Sequence, residues 1–214
     1  MGGALSEFFP AACASIGSRK MVAWRCNIMV AASFRAKPKA EKRHLQHLNH
    51  TSGEELTVSF EEPINFAGST LGKYRHICAF FHTPDEEYRV LLPFIKEGIE
   101  RGQKAFHIVD PKQREDHLAR LRAAGIDTEA TEKSGQLEVK RWEEAYLREG
   151  HFDQDAMLAL IEEVLKSGPK QGFSLTRLVA HMEWALEDRP GVNDLVEYET
   201  RLNYVLPKYK DPVI

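Results

Sequence analysis

The stretch RHICAFFHTPDEE, residues 75–87, decides the fold because it passes from an apolar run directly into a helix start. Arg75–Phe81 has the apolar composition of a strand. Thr83 can accept a hydrogen bond from the backbone N–H of Glu86, and Pro84 suits the first helical position. Glu86 can reach back in turn, which completes a capping box. The stretch therefore predicts a strand that is followed, after a short turn, by a helix.

The same order of strand, short turn and helix recurs along the chain. The later predicted strands are Lys104–Val109, Leu137–Trp142 and Leu175–Met182, with Pro212–Ile214 as the opening of a fifth. The predicted helices begin at Thr83, Asp110 and Asp153, end at Gly102, Gly125 and Gly168, and continue with a fourth at residues 193–206. This alternation predicts an α/β fold with a parallel sheet. Right-handed crossovers then place helices on both faces, which gives three layers.

Two regions of different character divide the chain. Residues 1–58 lack sustained periodicity and include a basic cluster, so we predict a disordered N-terminal extension rather than an arm that binds nucleic acid. Residues 59–214 form the predicted domain. The chain stops where a further strand is expected, so we expect the C-terminal strands of the sheet to be missing.

Composition excludes several classes of protein. The 214 residues are 43% hydrophobic and 29% charged, which is typical of a globular chain. The net charge of −3 predicts no direct contact with nucleic acid. Sparse cysteines indicate a reducing cytoplasm rather than a disulfide framework, and the sequence predicts no membrane span.

Ligands of open parallel sheets bind beyond the carboxyl ends of the strands. The candidate residues at these ends are His82, Asp110, Trp142, Glu183 and Trp184. Aromatic rings with a few carboxylates suit a small, partly apolar pocket. The alternatives are structural: Asp110 as a helix cap, and the two indoles as packing residues.

The turn after the first predicted strand is unsuited to a nucleotide. A loop that holds phosphates needs glycines and a lysine, and residues 82–87 contain neither. Asp85, Glu86 and Glu87 would repel a triphosphate. We therefore predict that the fold has no functional P-loop.

His76 and Cys78 form a second kind of candidate. Residues two apart on a strand point to the same face, so an imidazole and a thiol lie side by side. Such a pair can bind a soft metal or react with an electrophile, although two ligands do not complete a zinc site. The alternative is a hydrogen-bonded histidine beside a small buried cysteine. No cofactor is predicted, and the absence of a G-x-S-x-G motif is among the reasons for predicting that the chain is not an enzyme.

These residues together resemble the MEDS family, the sensory domains of methanogens and methylotrophs. The resemblance covers about residues 64–214. The matching runs are Phe66–Ser69, Arg75–Phe81, Asp85–Ile95, His107–Pro111, Gly135–Val139, Trp142–Tyr146, Phe152–Asp153 and Met182–Leu186.

The resemblance implies a RecA-like fold without a working P-loop and a sensory role in prokaryotic signal transduction. It implies that the ligand is a simple hydrocarbon derivative, and the family's histidine–cysteine pair corresponds to His76 and Cys78. The expected partners are a kinase or a DNA-binding output module, in transcriptional, sigma-factor or kinase regulation. Two alternatives are a degenerate nucleotide-binding domain similar to ATPases, and an interaction module without a ligand.

Overall fold

The structure is a computed structural model that describes residues 63–214. The predicted N-terminal extension, residues 1–58, lies outside the described residues. The strands are β1 (Asn65–Phe66), β2 (Ser69–Thr70), β3 (Lys104–Val109), β4 (Leu137–Arg141) and β5 (Thr176–Ala180). The α-helices are α1 (Pro84–Glu100), α2 (Arg114–Ala123), α3 (Thr128–Lys133), α4 (Gln154–Lys170) and α5 (Leu195–Val205).

A parallel sheet in the order β4–β3–β5 forms the centre of the fold. His107 of β3 is in register with Val139 on one side and Val179 on the other. Beyond β5 the sheet continues through single bridges, in which Val213 pairs with both Leu178 and His76. Within residues 63–214, the predicted strand Arg75–Phe81 therefore joins the sheet through the bridge at His76, which pairs with the short segment 212–214.

Helices cover both faces of this sheet, as the alternation of strands and helices predicted. Successive strand residues point to opposite faces. Phe106 and Leu178 belong to a core cluster with α4 and α5, whereas Ala105 and Val179 belong to one with α1 and α2. The sheet is thus the middle layer of the described domain.

Helix α1 begins where the capping residues predicted it. The Thr83 hydroxyl accepts from the N–H of Glu86 at 3.1 Å, and the Glu86 carboxylate accepts from the N–H of His82 at 2.9 Å. Burial of its apolar face then holds the helix on the sheet, with Phe94 and Ile95 each 1% exposed.

The predicted cap of the second helix was wrong. Asp110 does not cap α2, because residues 111–113 form a turn and the helix begins at Arg114. The carboxylate of Asp110 instead accepts from the N–H of Lys112 at 2.9 Å. Asparagine and aspartate side chains stabilise turns in this way as readily as helix starts.

Three of the strands and α-helices were not predicted. The hairpin of β1 and β2 and the helix α3 are too short for hydrophobic periodicity to reveal them. No helix within residues 63–214 combines the length and the hydrophobicity that a membrane span requires.

Candidate functional site

The first candidate site consists of His76, Cys78, Glu199 and Asn203 and is called the His76 cluster. Nδ1 of His76 lies 3.0 Å from the amide oxygen of Asn203, and Nε2 lies 3.3 Å from Oε2 of Glu199. The Cys78 thiol donates to the same carboxylate oxygen over 3.9 Å. The structure therefore brings the two residues of the predicted pair together and joins them to α5.

The surroundings of His76 favour its charged form. Burial opposes the charge, but hydrogen bonds to Glu199 and Asn203 outweigh it and raise the pKa of His76 above its ordinary value of 6.5. Each ring nitrogen of a protonated imidazole can then donate to one of these acceptors. His76 is hydrogen-bonded, as the structural alternative predicted, but Cys78 is exposed rather than buried.

A small cavity opens beside His76 and Asn203. Its volume is about 150 Å³, and its remaining wall is formed by Lys73, Tyr74, Arg75, Leu206, Pro207, Tyr209 and Asp211. An apolar cavity of about this volume accommodates one benzene-sized molecule, whereas drug-sized ligands occupy about 300 Å³ or more. The cavity therefore suits an organic molecule of a few heavy atoms.

The second candidate site is a buried histidine cluster made of His107, His117 and His181. The Tyr88 hydroxyl lies 2.7 Å from Nδ1 of His117, whose Nε2 lies 2.9 Å from Nδ1 of His107. Burial lowers the pKa of His117 to about 3, and nearby positive charge adds to the effect. Burial likewise holds the pKa of His107 well below its ordinary value. Both rings are therefore neutral at pH 7.

His181 faces two carboxylates just beyond the end of β5. Its Nε2 lies 3.1 Å from Oε1 of Glu87, and a carboxylate oxygen of Glu183 completes a set of atoms within 4.8 Å of one another. Burial raises the pKa of Glu87; the charge of Glu183 adds to this, and His181 and Arg120 oppose it. The sequence-predicted residue Glu183 is thus exposed but lies beside a buried histidine.

The two predicted indoles lie in the hydrophobic core. Trp142 and Trp184 are 6% and 0% exposed, and neither lines a cavity described for residues 63–214. The Trp184 ring packs with its centroid 5.0 Å from those of Tyr146 and Phe152. The Trp142 indole N–H donates to the carbonyl of His181 at 3.0 Å. Both residues pack in the core, as the structural alternative predicted, and as ligand contacts they stay predictions.

His82 and Asp110 join neither cluster. His82 is exposed on the turn before α1, and Asp110 lies on the turn after β3. As ligand contacts, both stay predictions.

Sequence reasoning did not single out Glu199 and Asn203, and it treated Glu87 only as one acid of a turn. Glu199 and Asn203 are four residues apart on α5, and that spacing places them on one face of a helix. The spacing is a detectable signal, but no local pattern reveals that this face meets the strand of His76.

A larger groove of about 350 Å³ lies between the β1–β2 hairpin and α1. Its lining includes Phe66, Arg89, Val90 and Phe94, and none of the site residues predicted from the sequence. The groove therefore offers fewer polar and charged side chains to a ligand than the smaller cavity at His76 does.

Comparison with known proteins agrees with the resemblance. The family model described as "MEthanogen/methylotroph, DcmR Sensory domain" (MEDS) matches residues 75–212. The chain is 28% identical over 151 residues to a protein of Methylorubrum extorquens named "Transcriptional repressor DcmR". That alignment covers 69% of this chain and 52% of the relative, so the chain spans about half the length of the curated relative it matches. No solved structure matches.

Proposed function

The chain belongs to the MEDS family of sensory domains, and on that premise we propose that it binds a small hydrocarbon derivative beside His76. The observation on which this rests is the cavity of about 150 Å³ that opens onto His76 and Asn203. The proposal is of a binding domain without a catalytic step.

The cavity offers both kinds of contact that such a ligand needs. Leu206, Pro207 and Tyr209 supply apolar and aromatic surface, and the polar part of the wall is formed by Lys73, Arg75, His76, Asn203 and Asp211. A small pocket that combines an apolar wall with a polar one suits molecules that have a short carbon skeleton and one polar or polarisable end. Small alcohols, aldehydes and halocarbons have this form.

We also propose that ligand binding regulates transcription. The relative named a transcriptional repressor supports this output, which would act through a DNA-binding or kinase module in the cytoplasm. The parallel sheet with helices on both faces supports the RecA-like fold that the resemblance implies.

Isothermal titration calorimetry of the full chain with ethanol, acetaldehyde and chloroform tests the binding proposal. At least one probe is expected to bind, and H76A should weaken that binding at least tenfold. H151A is the matched control, because His151 lies just before α4 and lines neither cavity. Equal affinities for H76A and the unmodified chain would refute the assignment of the site, and binding of none of the probes would refute the ligand class.

ATP is the probe for the nucleotide-binding alternative. The proposal predicts no binding, because the turn at residues 82–87 presents three acids and no lysine to a triphosphate. ATP binding that is lost in E183Q would replace the sensory proposal with the nucleotide-binding one.

A further inference from the structure

We propose that Glu87, His181 and Glu183 bind a divalent first-row transition-metal ion, with Zn²⁺ as the expected ion. This site is separate from the His76 cluster. It lies beyond the carboxyl end of β5 and against the first turn of α1.

The donor atoms lie close enough together for such an ion to gather them with one side-chain movement. One imidazole nitrogen and two carboxylate oxygens lie within 4.8 Å of one another. Donors bound tetrahedrally to zinc at about 2.0–2.2 Å are separated by about 3.3–3.6 Å. The exposed Glu183 side chain would therefore rotate towards His181 and Glu87 when the ion binds.

His181 supplies an independent indication of a ligand. Its side chain is 3% exposed, and neither ring nitrogen has a hydrogen-bond partner within residues 63–214. Its Nε2 lies 3.1 Å from Glu87 without the geometry of a hydrogen bond. A buried polar atom left without a partner destabilises the folded chain, and coordination of a cation by this nitrogen removes that penalty.

The protein holds His181 in position from several sides. Its backbone N–H donates to the carbonyl of Ile108 at 2.8 Å, and its own carbonyl accepts from the indole of Trp142. The ring of His117 packs edge-on against it, with centroids 5.9 Å apart. Tyr88 in turn holds His117 by a hydrogen bond. A metal-ligating side chain that is fixed in this way loses little conformational freedom when the ion binds.

The donor set decides between kinds of cation. Imidazole favours zinc, copper, iron and nickel over magnesium and calcium, while carboxylates accept either kind. The exposed side of Glu183 leaves room for water or another ligand at a fourth position, so the site resembles an open zinc site more than a closed structural one.

Calorimetric titration of the full chain with Zn²⁺ alone tests the site, with E183Q as the principal variant. Glu183 is exposed, so its replacement leaves the core intact. We expect E183Q to weaken one binding step at least tenfold and H181Q to abolish that step. E187Q is the matched control, since Glu187 is also exposed and pairs with Arg189 instead.

A titration with Co²⁺ monitored by visible absorption distinguishes binding at this site from binding to the thiol and histidines elsewhere in the chain. The Co²⁺ complex lost in E183Q should absorb in the visible region without a thiolate charge-transfer band, because this donor set has no sulfur. Unchanged zinc and cobalt binding in E183Q would overturn the proposal. The proposal would also be overturned if the Co²⁺ complex that E183Q loses shows a thiolate band in the unmodified chain. A site that prefers Mg²⁺ to Zn²⁺ would overturn it as well.

Discussion

Arg177 is a charged side chain buried inside the domain, and its surroundings show how single residues fix the packing of α1. It is 1% exposed, and its guanidinium contacts Glu97 at 3.0 Å, the carbonyl of Phe94 at 2.6 Å and Gln103 at 2.7 Å. A buried charge is stable only when it is paired and hydrogen-bonded, so the loss of one partner is costly.

We predict that E97Q lowers the free energy of unfolding by about 1–2 kcal/mol at pH 7, because a charged hydrogen bond to Arg177 is lost. Burial opposes the charge on Glu97, but Arg177 and Arg101 outweigh it and lower the pKa below its ordinary value of 4.5. A lowered carboxyl pKa contributes stability above 4.5 that is lost as the pH falls through the folded-state pKa.

Urea unfolding of E97Q and of the unmodified chain at several pH values measures the difference in their free energies of unfolding. The difference between them should shrink as the pH falls below 4.5. E100Q is the control, because Glu100 is 64% exposed and lies 3.9 Å from Lys96. A difference that stays constant down to pH 3 would contradict the charge-based explanation.

Gly98 leaves the space that Arg177 occupies. A Cβ atom at this position would lie 2.6 Å from Cδ of Arg177, which is too close for a carbon contact. We predict that G98A lowers stability by about 1–3 kcal/mol through this overlap. Thermal unfolding monitored by circular dichroism measures it, with G72A as the control because a Cβ there meets no atom of residues 63–214 within 4 Å. Equal melting temperatures for the two variants would show that the guanidinium moves aside freely.

At the scale of elements, the helix starts show which local patterns are reliable. Thr83 and Asp153 cap α1 and α4, as the sequence predicted, because their side chains accept from N–H groups of the first turn. Asp110 has the same position after a strand but forms a turn instead. The sequence around it fits both outcomes, because aspartate caps helices and stabilises turns alike.

We predict that T83A lowers the free energy of unfolding by about 1 kcal/mol, because the N–H of Glu86 loses its acceptor. T83S keeps a hydroxyl at the same position and should retain most of the stability. Urea unfolding of the two variants checks this. A loss of equal size in T83S would assign the effect to the methyl group instead.

At the scale of the whole molecule, the segment 212–214 connects the predicted first strand to the sheet. Val213 is 5% exposed and bridges Leu178 and His76. We predict that V213A lowers stability by about 1–3 kcal/mol through the cavity it leaves. V196A is the control, since Val196 is 72% exposed and its truncation should change stability by less than about 0.5 kcal/mol. Similar urea midpoints for the two variants would mean that this edge of the sheet contributes little.

The sequence revealed the parallel sheet and its helices because periodicity and capping are local signals. It also revealed His76 and Cys78 as neighbours, since alternation along a strand is local too. It could not reveal Glu199 and Asn203, because their meeting with His76 depends on how α5 packs across the sheet. Trp142 and Trp184 follow strands as ligand-binding residues do, but core packing takes them out of reach of solvent.

The most direct measurement is a set of NMR titrations of the ¹⁵N-labelled full chain with ethanol, acetaldehyde and chloroform in turn, which maps where a small organic molecule binds. We predict saturable shifts concentrated on the lining of the cavity of about 150 Å³, with His76, Asn203 and Leu206 among the residues affected most. Shifts confined to the groove between the β1–β2 hairpin and α1, or no saturable shifts at all, would contradict the proposed site.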